Sequence, residues 1–268
     1  MWNEARIINA TANLLMVGAV LALLAGAVMW VVRLPTFDIN RIVISSTSEE
    51  GFKYVSSDVV RSAIAGKLTG NFFSMDLQQA REAFESAPWV RKVSAKRVWP
   101  NELHVSIEEH NPFALWNEYQ LLNDRGEPFT ANRAVLEEDV QLPEFFGPEG
   151  SSILMVQRYA ELQRWFAVLG LGIEQLTLDN RYALKAILSN DVTLLLGRDP
   201  GAETADPQDG VPGAVPFGER IERFVRNWPQ AFAQIKEQPV AQVDLRYPNG
   251  FAITLANVPP PVNPNKKR

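Results

Sequence analysis

No cysteine occurs among the 268 residues, which excludes disulfide frameworks, thiol nucleophiles, zinc ribbons and iron–sulfur clusters. Histidine is almost as scarce: His104 and His110 are the only two, too few for a His-rich metal centre and wrongly spaced for a two-His zinc motif. Charge of either sign is moderate, with a net value of -5, so a broad basic face for nucleic acid and a disordered acidic tail are both excluded as the main theme. Catalytic signatures are missing as well. There is no G-x-S-x-G elbow, Walker A loop or H-E-x-x-H, and Gly170-Leu171-Gly172 lacks the third glycine of a dinucleotide fingerprint. No cofactor, metal or small-molecule substrate is expected, and no enzymatic activity.

What is present is one long apolar run. Leu14 to Val32 contains no charged or strongly polar side chain. At about 1.5 Å per residue it reaches roughly 28 Å, close to the ~30 Å hydrocarbon thickness of a bilayer. Trp30 and Arg33 at one end, and Trp2 and Arg6 at the other, suit the interfaces. Residues 14–32 therefore read as a transmembrane helix behind a short tail, 1–13. Ala25-Gly26-Ala27 resembles a signal-peptidase site, but the apolar run continues past it to Val32, which favours an anchor. Arg6 on one side against Arg33 and Arg41 on the other leaves orientation undecided by charge counting, and favours export of the long C-terminal part only through its length. Gly18, Ala22 and Gly26, spaced every four residues, permit close helix contact.

Residues 37–109 predict a β-α-α-β-β unit. Ile39–Ile44 is β-branched and ends in a turn cluster. Ser56 or Ser57 can cap a helix carrying Val59, Val60, Ala63 and Ile64. Asp76 with Gln79 forms a capping-box pattern before Leu77, Ala80 and Phe84, and Pro88 closes that helix. Strands follow at 90–98 and 103–108, the second alternating Leu103, Val105 and Ile107 inward. Glu108-Glu109-His110 reads as a solvated strand end entering a hinge rather than an acid/base cluster. Arg91-Lys92 and Lys96-Arg97 read as a solvated or partner-facing strand surface.

From Phe113 to Ala256 a second, β-rich unit is expected, so the whole is α+β. Strands are read at 115–119, 120–122, 173–179, 182–189 and 192–197, and a helix at 153–169 with the stripe Met155, Tyr159, Leu162, Phe166, Leu169. Residues 199–217 are rich in proline and glycine and predict a loop. Glu219–Glu237 reads as a helix that Pro229 kinks or restarts. A closing hairpin, 240–247 with 251–256, is expected to turn at Asn249-Gly250 through positive-φ backbone, in an antiparallel meander. The proline-rich tail 257–268 predicts disorder.

Several segments together resemble one family. Phe72-Phe73-Ser74-Met75-Asp76, Pro88-Trp89-Val90-Arg91-Lys92-Val93 and Val98-Trp99-Pro100-Asn101-Glu102-Leu103 are similar to the polypeptide-transport-associated (POTRA) domain of the FtsQ family of bacterial cell-division proteins. Gly147-Pro148-Glu149-Gly150, Leu176-Thr177-Leu178-Asp179-Asn180, Leu196-Gly197-Arg198 and 243–250 (VDLRYPNG) are similar to its β domain. The loop 199–217 looks longer than in many relatives, and Leu255 stands where some members carry an aromatic residue. The resemblance implies a single-pass inner-membrane protein with a cytoplasmic N-terminus and a periplasmic bulk, enriched at the septum. It further implies a non-enzymatic divisome scaffold that binds FtsB and FtsL, with the POTRA unit and the membrane helix contacting other division proteins.

The implied contact surface is the closing strand. If 251–256 ends the sheet, its outer backbone groups are open to strand addition. Arg198, Arg246, Tyr247, Asn249, Gly250, Phe251 and Leu255 are the expected partner-binding residues. The arginines would offer bidentate bonds to acidic side chains, Tyr247 an amphipathic anchor, and Gly250 a close approach. The alternative is a POTRA-type accessory of outer-membrane protein assembly or secretion, which predicts repeated POTRA units or a barrel of many strands; neither is visible. A wall-cleaving enzyme built on paired carboxylates is a further alternative.

Overall fold

The computed structural model describes the backbone of residues 2–136, 140–198, 217–235 and 238–256, with side chains from residue 9 onward. The chain divides into two compact units, 1–110 and 111–268.

The first unit opens with helix α1, Trp2–Val32. The helix therefore begins well before Leu14, and the expected tail 1–13 is largely its first turns. Within Asn9–Val32 an apolar window of 18 residues has a mean hydropathy of 2.5, and none of that window is buried against protein. Its length and composition suit a single membrane crossing.

A three-stranded sheet follows, with β1 (Arg41–Ser46), β2 (Val90–Val98) and β3 (Glu102–Glu109) in the order β1-β3-β2. Strands β2 and β3 are antiparallel, whereas β1 lies parallel to β3 because α2 (Ser57–Ile64) and α3 (Leu77–Glu85) supply the crossover that parallel neighbours require. Leu103, Val105 and Ile107 are buried, as are Val60 of α2 and Ala80, Ala83 and Phe84 of α3. Ser56 caps α2 by accepting from the Val59 N–H at 3.3 Å, and Asp76 caps α3 by accepting from Gln78 and Gln79 at 2.8 and 3.3 Å.

Two expectations for this unit change. Glu109 is not a solvated strand end. Its carboxylate accepts the backbone N–H groups of Lys53, Tyr54 and Val55 at 2.8, 2.9 and 2.5 Å, and so pins the loop before α2 to the end of β3. The basic residues of β2 do not form one surface either. Lys92 and Lys96 are exposed, but Arg91 pairs with Glu108 at 3.1 Å, and the Arg97 guanidinium donates to the Met75 carbonyl.

The second unit is a nine-stranded mixed sheet. Its strands are β4 (Pro112–Trp116), β5 (Gln120–Asn123), β6 (Pro128–Phe129), β7 (Glu144–Phe146), β8 (Ile173–Leu178), β9 (Ala183–Leu188), β10 (Thr193–Arg198), β11 (Val240–Asp244) and β12 (Ala252–Leu255). They run in the spatial order β12-β11-β10-β9-β8-β7-β4-β5-β6. The antiparallel meander holds for β8-β9-β10 and for β4-β5-β6. Strand β7 joins these blocks by pairing in parallel with both β4 and β8, and β11 lies parallel to β10.

Helices α4 (Ser152–Ala167) and α5 (Phe217–Gln234) are the crossovers that allow β7–β8 and β10–β11 to pair in parallel, whereas the chain from β4 reaches β7 by way of β5 and β6. The α4 stripe Met155, Tyr159, Leu162 and Phe166 is buried against Leu176, Ala186 and Leu194 of the sheet. From α5, Ile221, Phe224 and Trp228 enter the same core. Phe217, read as the last loop residue, is the first of α5, and Pro229 lies inside that helix. The rest of the expected loop, 199–216, and the tail 257–268 lie outside the described residues.

Candidate functional site: an open sheet edge

Strand β12 has one neighbour among the described residues. It pairs with β11 in antiparallel register, Asp244 opposite Ala252, Val243 opposite Ile253, and Val240 opposite Leu255. Just past the strand, Ala256 donates its N–H to the Pro239 carbonyl at 2.7 Å. Backbone direction alternates along an antiparallel strand, so Leu255 and Ile253 turn their N–H and C=O groups away from β11. This edge thus presents two donors and two acceptors with no described partner. Ala252 and Thr254 are exposed on one face, while Ile253 packs against the core on the other.

The connection between β11 and β12 is not the tight hairpin expected. Strand β11 stops at Asp244, and neither Asn249 nor Gly250 has positive φ. A Cβ on Gly250 would meet nothing within 4 Å, so neither φ nor close packing demands glycine there. Other contacts hold residues 245–251 open. Leu245 donates to the Leu195 carbonyl at 3.0 Å, and Arg223 of α5 donates to the Pro248 carbonyl. Phe251 turns inward, its ring 5.5 Å from Phe224 in edge-to-face contact. Tyr247, 54% exposed, stands at the rim of a shallow depression of about 440 Å³ that residues 247–252 line.

Beneath the loop lies an arginine clamp. Strand β10 carries an irregularity between Leu195 and Gly197, where Gly197 adopts φ +77. A Cβ there would lie 2.8 Å from Arg220 Nη1 and 2.9 Å from Arg246 Cγ, so this glycine serves both its backbone angle and close packing. Arg220 of α5 donates to the carbonyls of Leu196 and Arg198, at 2.9 and 2.5 Å. The Arg246 guanidinium is taken within the chain, with Nε and Nη2 donating to the two Asp244 oxygens at 2.8 and 2.6 Å. Those bonds to Arg246 hold the Asp244 carboxyl below its usual range, despite a side chain only 13% exposed. Arg246 is therefore first a brace of the hairpin, and its bidentate face is already committed. Arg198 is exposed at the end of β10, opposite Ala183.

Structure thus gathers Arg198, Arg246, Tyr247, Asn249, Gly250 and Phe251 around the β11–β12 connection, while Leu255, opposite Val240, stands at the far end of β12. Among them Tyr247, Arg198 and the Leu255 backbone face outward, while Phe251 and Arg246 fasten the hairpin. Sequence reading missed Arg220, Arg223 and the role of Gly197. The Gly197-Arg198 pair at a strand end, followed much later by arginines at a three-residue spacing on an amphipathic helix, is the signal that was there. Among the described residues no group of three or more His, Asp or Glu side chains could hold a metal ion.

Two family models cover the two units. Residues 39–110 match the FtsQ-type POTRA domain, and residues 114–246 match the C-terminal domain of the cell division protein FtsQ/DivIB. The Cell division protein FtsQ of Bordetella pertussis is 54% identical over 97% of this chain and 95% of its own length. The chain belongs to the FtsQ family of cell division proteins. The Cell division protein FtsQ of Burkholderia pseudomallei is 40% identical over 96% of both chains, and that of Nitrosospira multiformis is 32% identical over 94% of this chain and 98% of its own length. The family places the chain in cell division, and its one N-terminal apolar helix is consistent with a single-pass membrane protein.

Proposed function

We propose that this chain is a membrane-tethered, non-enzymatic scaffold of the division machinery, which holds its partners by letting one of them add a strand to β12. The partners are the periplasmic segments of FtsB and FtsL. In this reading α1 spans the inner membrane, residues 37–256 lie in the periplasm at the septum, and the POTRA unit and α1 meet other division proteins. The observation that supports it is the position of β12, a four-residue strand at the end of the sheet, one side of whose backbone has no partner among the described residues. Such an edge is ordinarily covered or blunted, and a partner strand satisfies it. Ladder bonds would give affinity, while Tyr247 and Arg198 select the partner.

The test separates backbone from side-chain recognition. Leu255→Pro removes one outward N–H without touching a bond to β11, and Leu255→Ala removes the side chain alone. In pull-down by an immobilised periplasmic FtsB segment, Leu255→Pro, Tyr247→Ala and Arg198→Glu should each bind at least about tenfold more weakly, with Leu255→Ala closer to the parent chain. Equal capture of all four variants would exclude this edge.

A further inference from the structure

Within the first unit, four aromatic rings form a cluster that the β12 edge does not use. Phe37 comes from the turn after α1, Phe72 and Phe73 from the segment before α3, and Trp99 from the β2–β3 turn. Their ring centroids lie 5.0 Å (Phe37–Phe73), 5.3 Å (Phe37–Trp99), 5.3 Å (Phe72–Phe73) and 5.4 Å (Phe72–Trp99) apart. Such edge-to-face clusters ordinarily sit in a core. Here Phe73 is 45% exposed and Trp99 62% exposed.

The cluster is fastened to the end of the apolar helix. Asn71, itself buried, donates from Nδ2 to the carbonyl of Val32, the last residue of α1, at 2.6 Å. Its Oδ1 accepts from the Phe73 and Ser74 N–H groups at 3.0 and 3.1 Å, which shapes the turn that presents Phe73. Asp38 bridges to Asn71, and Phe72 donates to the Phe37 carbonyl at 2.8 Å. Only four residues lie between Val32 and Phe37, a reach of about 17 Å when fully extended. Exposed Trp30 and Arg33 mark the same level of the chain. The amphipathic indole of Trp favours the headgroup zone, where Trp and Tyr belts gather, and Phe rings bury their apolar bodies at the boundary between headgroups and acyl chains.

We propose that Phe37, Phe72, Phe73 and Trp99 form a foot that rests in the headgroup zone of the bilayer, so that the POTRA unit stands on the membrane instead of swinging from a tether. This rests on reading α1 as a spanning helix. The occupant is a lipid surface, because the cluster is continuous with the end of the apolar helix and is hydrogen-bonded to its last carbonyl.

The absence of cysteine makes the test clean, since each introduced thiol is unique. The full chain is reconstituted in nanodiscs of phosphatidylethanolamine and phosphatidylglycerol with one nitroxide label at Ala22→Cys, Glu50→Cys, Phe73→Cys or Asn101→Cys. The collision ratio of oxygen to a water-soluble nickel chelate is then measured. Ala22→Cys reports whether α1 crosses the bilayer, and Glu50→Cys, beyond the far end of β1, gives the aqueous reference. Asn101→Cys keeps all four rings and lies far from α1 in sequence. Interfacial ratios at Phe73→Cys and Asn101→Cys, between the two references, are expected. Adding Phe73→Ser with Trp99→Ser should bring Asn101→Cys down to the Glu50→Cys value. If Ala22→Cys reads lipid while Phe73→Cys and Asn101→Cys match Glu50→Cys, the foot is wrong and the spanning helix stands. An aqueous ratio at Ala22→Cys would overturn both.

Discussion

Arg220→Ala should loosen the end of the sheet that carries the proposed binding edge, and the structure sets the size of the effect. The guanidinium donates to two carbonyls of β10, those of Leu196 and Arg198. Bonds from a charged group contribute about 1.5–3 kcal/mol each, and the orphaned carbonyl of Leu196, a fully buried residue, adds to the cost. Some repulsion among neighbouring arginines is relieved, worth under about 1 kcal/mol at an exposed site. A net loss of about 3 kcal/mol follows, or roughly 6–12 °C in the melting temperature of a domain of this size. The assay is calorimetry of the full chain in detergent, following the transition of the 111–256 unit. Arg220→Lys should recover part of the loss, because one ammonium can still reach one carbonyl.

A double-mutant cycle sharpens this test. Gly197→Ala alone forces a side chain into φ +77 and into Arg220 Nη1 at 2.8 Å. In the Arg220→Ala background that contact is gone, so the second substitution should cost less than it does alone. A melting temperature within about 2 °C of the parent for Arg220→Ala, or strict additivity with Gly197→Ala, would refute the clamp.

Two other outcomes are expected. Arg246 depresses the Asp244 carboxyl, so the pair stabilises the fold fully above the ordinary value of 3.8 and loses that contribution as pH falls through the lowered folded value. The difference in denaturant midpoint between parent and Asp244→Asn should accordingly be largest at neutral pH and shrink as pH falls below about 4; a constant difference would mean that the carboxylate charge is not what matters. Glu109→Gln leaves one neutral oxygen facing the N–H groups of Lys53, Tyr54 and Val55. A loss of about 2 kcal/mol is expected, with faster amide exchange at those three positions by hydrogen-exchange mass spectrometry.

What the sequence revealed depended on the range of the interactions involved. Strand β3 was legible because Leu103, Val105 and Ile107 alternate, and α4 because Met155, Tyr159, Leu162 and Phe166 recur at helical spacing, both properties of a few neighbouring residues. Strand β7 has three residues, too few for any period, yet it joins the two halves of the sheet. The Asn249-Gly250 pair carries a strong local turn signal, and distant contacts overrode it: Leu245 is drawn to Leu195 and Pro248 to Arg223. Arg246 looked like a ligand-binding group because nothing in the linear order shows that Asp244, two residues before it at the end of β11, would take its Nε and Nη2 donors. The edge position of β12 followed from its being last in the sheet, but the clamp beneath it depends on α5 returning across the described ends of β10 and β11.

Amide exchange resolved at single residues tests the strand-addition account most directly. The full chain is compared with and without a periplasmic segment of FtsB, and the N–H groups of Ile253 and Leu255 are read individually. Both point away from β11, so both should exchange quickly in the free chain and become protected on binding, while the inward N–H of Thr254 changes little. Tight binding that leaves Ile253 and Leu255 exchanging as before would contradict the account.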